Sequence, residues 1–411
     1  MAGSGALLAS WQIVALFAGF ASAYFLSALL RAVTATLAPV FRAEFGLSAG
    51  ELGLLAGAYF LGFSLMQLPV GAALDRLGPR RVLCALLSLA VAGCAGFAMS
   101  EGLVALVLSR VLIGMGVAGC LMAPLTSFRQ WYPPALQLRA NAWMLMTGSL
   151  GMIASTVPVH WLQPMTGWRA LFWLLAAALL VSVALIWSLV PADRALPAAR
   201  QADPRTAGGY RAVLAHPLFR RLLPLGFFGY GGLIAMQSLW VGPWLTRVTD
   251  ASAAQAAQGL LLVNTCMMVA FLTWGSALPW LERRGLTPVR LVAWGMPTSL
   301  VVLLAIVLLG SRAGAWHWAA WCVATSVVTL SQPAVGQALP AEVAGRALSA
   351  FNLAIFSGVF LIQWAMGLFV DLALHWGWSV EAAVRSAAAL LAAAVAASWV
   401  RLVTGRAEVC R

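Results

Sequence analysis

The sequence predicts an all-α membrane protein, with twelve transmembrane helices in two pseudo-symmetric six-helix bundles. Three observations predict it. Of 411 residues, 62% are hydrophobic and only 9% charged, against about 25% charged in an ordinary globular chain. So few charges could not cover a soluble protein of this size, and mean hydropathy is +0.91. The apolar residues gather into twelve segments long enough to cross the hydrocarbon core as helices, which needs about 20 residues, and too long for membrane β-strands. The basic residues, all arginine, cluster between alternate segments.

The segments lie at roughly 11–38, 50–74, 82–100, 103–125, 139–160, 167–190, 222–246, 256–280, 289–310, 314–336, 347–370 and 381–403. In the first, Ala21-Ser22-Ala23 resembles a cleavage site. Residues 1–10 hold no Lys or Arg, however, and the apolar run continues, so the segment reads as an uncleaved first span. The longest break, 191–221, is rich in Pro, Ala and Arg. It reads as a cytoplasmic linker between an N-terminal bundle, 1–190, and a C-terminal bundle, 222–411. With both termini in the cytoplasm, only Arg42, Arg169, Arg247, Arg312 and Arg385 face outward and only Arg31 and Arg110 fall within spans; the remaining 18 of the 25 arginines lie on the cytoplasmic side. That is the positive-inside pattern. The net charge of +13 is therefore a topology signal, and nucleic acid is excluded as a partner. The halves echo each other: Gly71-Ala-Ala-Leu74 ends the second span and Gly275-Ser-Ala-Leu278 the eighth, while Gly167-Trp168 opens the sixth and Gly377-Trp378 the twelfth. Parallel duplication of this kind places a transporter's site at the midplane between halves.

Between spans two and three the chain reads Gly71-Ala-Ala-Leu-Asp75-Arg76-Leu-Gly78-Pro79-Arg80-Arg81. Gly71 allows close helix approach. Asp75 stands at a helix C-terminus, where the dipole disfavours a carboxylate, so it wants a cationic partner or a facing helix end. This loop resembles the signature loop of the major facilitator superfamily, G-x-x-x-D-R-x-G-x-R-R. The resemblance implies alternating access, with Gly71, Asp75, Arg76, Gly78 and Arg80 gating the swing of the halves. Arg110-Val-Leu-Ile-Gly114-Met-Gly116 in span four resembles the family's R-x-x-x-G-x-G segment, whose arginine implies a coupling role for Arg110, with backbone bonding as the alternative. Within the superfamily, Tyr24, Arg31, Ala32–Thr36, Gly46-Leu47-Ser48 and Asp75-Arg76 look most like organic-anion uptake carriers.

An arginine within a span is expensive and faces a cavity or a partner. Helical spacing puts Tyr24, Ser27, Arg31 and Thr34 on one face of span one, where the guanidinium would grip a carboxylate or phosphate. Tyr59, Phe63 and Gln67 share a face of span two, and Tyr230, Gln237 and Trp244 recur every seven residues in span seven. Asn264, Gln332, Asn352 and Gln363 are further polar candidates. Each could equally glue helices together.

The twelve acidic residues all lie outside the span interiors, and Val117 stands where many proton-driven relatives carry a Glu. Proton symport through a buried carboxylate is therefore disfavoured. His160 is the nearest titratable alternative, and a coupling ion, H+ or Na+, or plain uniport stays open. Span five reads Gly148-Ser-Leu-Gly151 up to Pro158 without the Gly-Pro pair of exporters, so proton-antiport efflux of drugs or metabolites is the second reading. Metal import is a third: 14 Met are present, but no two stand three or four apart. The six cysteines show no ligand spacing and read as reduced packing residues. Enzyme motifs are absent, and no cofactor is implied. The expectation is a monomeric carrier of a small organic anion in the inner membrane of a bacterium.

Overall fold

The computed structural model describes residues 10–192 and 209–404. Among them, nine helices are long and apolar enough to cross a bilayer, and Ala49–Leu65 with Gln67–Leu77, bent by 43°, makes a tenth. Residues 134–166 and 315–338 supply two more. The first is broken at Ser155 and Thr156 and turned at Gly167; the second passes through a 3-10 stretch, Ser326–Leu330.

The spans are, in order, Ser10–Phe45, 49–77, Pro79–Ala98, Leu103–Trp131, 134–166, 168–189, Pro217–Arg247, Ala253–Arg283, Pro288–Arg312, 315–338, Ala341–His375 and Val380–Thr404. Alternate ends define two faces of the bundle, named here the Asp75 end and the Arg42 end. Exposed tryptophans ring both: Trp11, Trp187, Trp280 and Trp294 at the first, Trp161, Trp316 and Trp376 at the second. Amphipathic indoles settle at the two membrane–water boundaries in this way.

The turns explain several glycines. Gly78, Gly167, Gly285 and Gly377 all adopt positive φ, between 76° and 83°, which glycine reaches without strain. They stand after spans two, five, eight and eleven, so the same turn recurs in each half. Ser48 caps span two in a reciprocal capping box with Glu51.

Two expectations change. Span one continues to Phe45, so Arg42 lies in its last helical turn instead of a loop. The segment read as linker is helical over Gly209–Ala215 and again from Pro217, while 193–208 lies outside the described residues, as do Arg194, Arg200, Arg205 and Cys410. The other five cysteines are free thiols.

The halves meet through spans one, two and five against seven, eight and eleven. At the Arg42 end, spans two and eleven touch backbone to backbone. A Cβ on Gly53 would collide with the Gln363 carbonyl, and one on Gly367 with that of Ala49. Asp371 accepts the N–H groups of Ala49 and Gly50 at 2.8 and 2.7 Å. At the Asp75 end the approach is looser: the nearest atom to a Cβ on Gly71 would be Ser349 Oγ at 3.9 Å. The close approach expected at Gly71 is therefore made at Gly50 and Gly53 in this conformation.

Candidate functional site between the halves

Arg31 sits near the middle of span one and remains partly accessible. Tyr59, Tyr24 and Tyr230 lie close enough to act on its charge. Its Cζ lies 5.8 Å from the Phe63 ring centroid, within cation–π range. Its Nε is buried without a partner. Among the described residues, neither ion pair involves Arg31, and no Asp or Glu is among the buried polar groups.

Close packing builds this arrangement. A Cβ on Gly148 would stand 2.5 Å from the Tyr24 ring, so span five leaves room for that ring. Gly114 presses span four onto the Tyr59 carbonyl, and Gly116 presses it onto span three at Ala90. Gly114 of the R-x-x-x-G-x-G segment thus fixes where Tyr59 stands, while Gly116 seats span four on span three. The Tyr59 hydroxyl donates to the Ser27 carbonyl at 3.2 Å. The second half contributes Tyr230 and Phe356, whose ring lies 4.4 Å from that of Phe63. Phe356 was not singled out from sequence. The signal was there, because Asn352 and Phe356 stand four apart on one face of span eleven.

The other expected residues divide. Arg110 is fully buried and donates to the Leu30 carbonyl at 2.9 Å and to Thr34 Oγ1 at 2.6 Å. Its hydrogen bonds tie span four to span one, and its Cζ lies 5.3 Å from the Tyr59 ring centroid. Thr34 is thereby turned to Arg110. Gln67 is buried, donating to the Phe63 carbonyl at 3.2 Å and leaving Oε1 without a partner. Gln237 donates to Asn264 Oδ1 at 2.8 Å, and Asn264 reaches the Met152 carbonyl across the halves. Gln332 donates to Asn352 at 2.5 Å, and Gln363 to Ser238 at 3.0 Å.

Trp244 departs from the expected face. It is buried within the second half, donating to the Ala313 carbonyl at 2.9 Å and packing edge-on against Trp318. The cause is local geometry. Span seven contains two π-helical stretches, Leu225–Tyr230 and Met236–Trp240. Their wider turns break the seven-residue register, so Tyr230, Gln237 and Trp244 do not share a face.

At the Asp75 end, Asp75 and Arg76 are exposed, and neither is in an ion pair among the described residues. Arg80 is not the partner of Asp75. It donates to the Trp187 carbonyl at 2.5 Å and covers the Trp187 ring at 4.5 Å, joining spans three and six.

Comparison with known proteins identifies the family. The chain is 25% identical to the inner membrane transport protein YajR of Escherichia coli strain K12 over 338 residues, covering 79% of this chain and 71% of the relative. It is 32% identical to a chloramphenicol resistance protein of Streptomyces lividans over 173 residues, 41% and 43% of the two chains. It is 29% identical to the probable sulfoacetate transporter SauU of Cupriavidus necator over 255 residues, 57% of each chain. In the last two cases the match spans about half of the relative. The fold matches the crystal structure of a D-xylose-proton symporter with a TM-score of 0.76 at 13% identity, over 97% of this chain and 99% of that one. Residues 20–363 match the family profile of the Major Facilitator Superfamily, and the chain belongs to that family of membrane transporters.

Proposed function

We propose that this transporter carries a small organic anion across a bacterial inner membrane by alternating access, with Arg31 as the anion-binding group. One observation carries the reading: a guanidinium near the middle of a span, partly accessible, set among Tyr24, Tyr59, Tyr230 and Phe63, in no ion pair and with its Nε unpaired among the described residues. A charge so placed is costly unless it has work there, and a carboxylate or sulfonate supplies the missing acceptors. Tyr24, Tyr59, Tyr230 and the Phe63–Phe356 pair would set the shape of the solute. The sulfoacetate transporter relative supports the same class. In this reading the chain is a monomer of two bundles, 1–190 and 222–411, and both termini are cytoplasmic. The Asp75 end then faces the cytoplasm, and Asp75, Arg76, Gly71, Gly78 and Arg80 serve the gate. Coupling to H+ or Na+ does not run through a midplane carboxylate, since none is buried among the described residues.

Thermal shift of the purified carrier tests the assignment, because a ligand of the folded state raises apparent stability by mass action. Sulfoacetate, benzoate or succinate should stabilise the protein, and Arg31→Gln should weaken the effect. An unchanged response in R31Q removes Arg31 from the site. The chloramphenicol resistance relative favours a second reading, export of uncharged drugs. Stabilisation by such solutes alone, with no response to anions, would select it.

A further inference from the structure

A second pair of arginines lines a cavity that the midplane site does not use. Arg42 stands in the last turn of span one and Arg247 in the last turn of span seven, so one comes from each half. Together with Thr36, Pro39, Thr246 and Leu260 they line a cavity of about 500 Å³ at the Arg42 end. Neither guanidinium is in a hydrogen bond or ion pair among the described residues, and each acts on the other through space.

Of the neighbouring carboxylates, Asp250 follows Arg247 by three residues, is exposed and makes no ion pair among the described residues, and three others are committed elsewhere. Glu44 holds Trp168 and Arg169. Glu51 closes the capping box on span two. Asp371 faces Arg42 but spends both oxygens on Ala49 and Gly50. Two guanidiniums sharing one cavity repel, and an anion between them reverses the sign of that interaction. Position adds to the argument. Arg42 follows Arg31 by 11 residues, three helical turns plus roughly 20°, so both stand on one face of span one about 16 Å apart. The strip between them carries Ala35 and Ala38, which line the same cavity.

We propose that Arg42 and Arg247 form an outer capture site for an oxyanion, holding a carboxylate, sulfonate or phosphate group before it descends to Arg31. The site deepens the anion-carrier reading and rests on it for orientation. The same chemistry is present in an anionic lipid headgroup, and the test separates the two sources.

The carrier is reconstituted in phosphatidylcholine nanodiscs, and thermal shift is followed against sulfate, succinate and sulfoacetate at constant ionic strength. The wild type should be stabilised, and R42Q/R247Q should need about tenfold more probe for the same shift. R42K/R247K should recover most of the response. The single variants R42Q and R247Q each show a smaller loss, so a folding defect in the double variant leaves the test intact. A response lost in R31Q but unchanged in R42Q/R247Q overturns the capture site and leaves the midplane reading standing. A response lost in R42Q/R247Q but kept in R31Q supports the capture site and removes Arg31. Equal behaviour of wild type and R42Q/R247Q towards every probe, silence included, overturns the proposal. Replacing part of the phosphatidylcholine by phosphatidylglycerol identifies the source. If that lipid stabilises the wild type and not R42Q/R247Q, and suppresses the sulfate response, the bound oxyanion is a headgroup.

Discussion

The carboxylate of Asp371 accepts the backbone N–H of Gly50 at 2.7 Å, tying the end of span eleven to the first turn of span two across the two halves. A carboxylate there satisfies orphan helix N–H groups and complements the positive end of the helix dipole. The bond can exist only while the Arg42 end is closed between these spans, so it acts as a latch for that conformation. Asp371→Ala should lose about 1 kcal/mol of that bias, a shift of roughly fivefold in the conformational equilibrium. Distances between spin labels placed at the Arg42 ends of spans two and eleven would register it as a larger open population. An unchanged distance distribution would mean that glycine packing alone holds this end.

Gly53 and Gly71 lie on the same span and predict opposite outcomes. A methyl at Gly53 meets the Gln363 carbonyl, whereas one at Gly71 has only Ser349 Oγ at 3.9 Å. Gly53→Ala should therefore drive the Arg42 end open or lower yield, through overpacking of about 1–3 kcal/mol. Gly71→Ala should leave stability in this conformation within about 0.5 kcal/mol. Comparing the melting temperatures of the two variants decides it; equal losses would refute the looser packing at the Asp75 end.

Arg31 and Arg110 are both intramembrane arginines, and they should separate experimentally. Arg110→Gln strands Thr34 and the Leu30 carbonyl in a buried site and should cost about 2–4 kcal/mol of stability. Arg31→Gln should cost little stability, because no carboxylate or carbonyl pairs with Arg31 among the described residues, yet should weaken anion binding. Chemical denaturation beside ligand binding on both variants gives the answer. Loss of stability in R31Q matching that in R110Q would make Arg31 a structural residue.

Asp75 is exposed in this conformation. Asp75→Asn should accordingly leave the melting temperature and ligand affinity unchanged while slowing turnover in proteoliposomes, since the residue would act only once the Asp75 end closes. Wild-type turnover in D75N would free Asp75 from any gating role.

Sequence alone determined the membrane class, the spans and the repeat, because burial in lipid acts on each segment separately: every span must be apolar and about 20 residues long wherever its neighbours lie. The arginine asymmetry and the Gly78 and Gly167 turns are local in the same sense. Arg31 was legible for a related reason, since a charge in an apolar run is conspicuous before any partner is known. Tertiary structure decided which polar residues converge. Arg110 and Arg31 look alike in sequence, and only the packing of the spans, with Gly114 of span four against Tyr59 of span two and Arg110 bonded to Leu30 and Thr34 of span one, engages the first and leaves the second among aromatic rings. Trp244 was lost from the expected face because π-helical turns shift register in a way that residue spacing does not reveal. Asp371 and the Arg42–Arg247 pair were invisible because each depends on two spans from opposite halves meeting at one end, and helix faces that meet across a bundle leave no mark in the spacing of either chain segment.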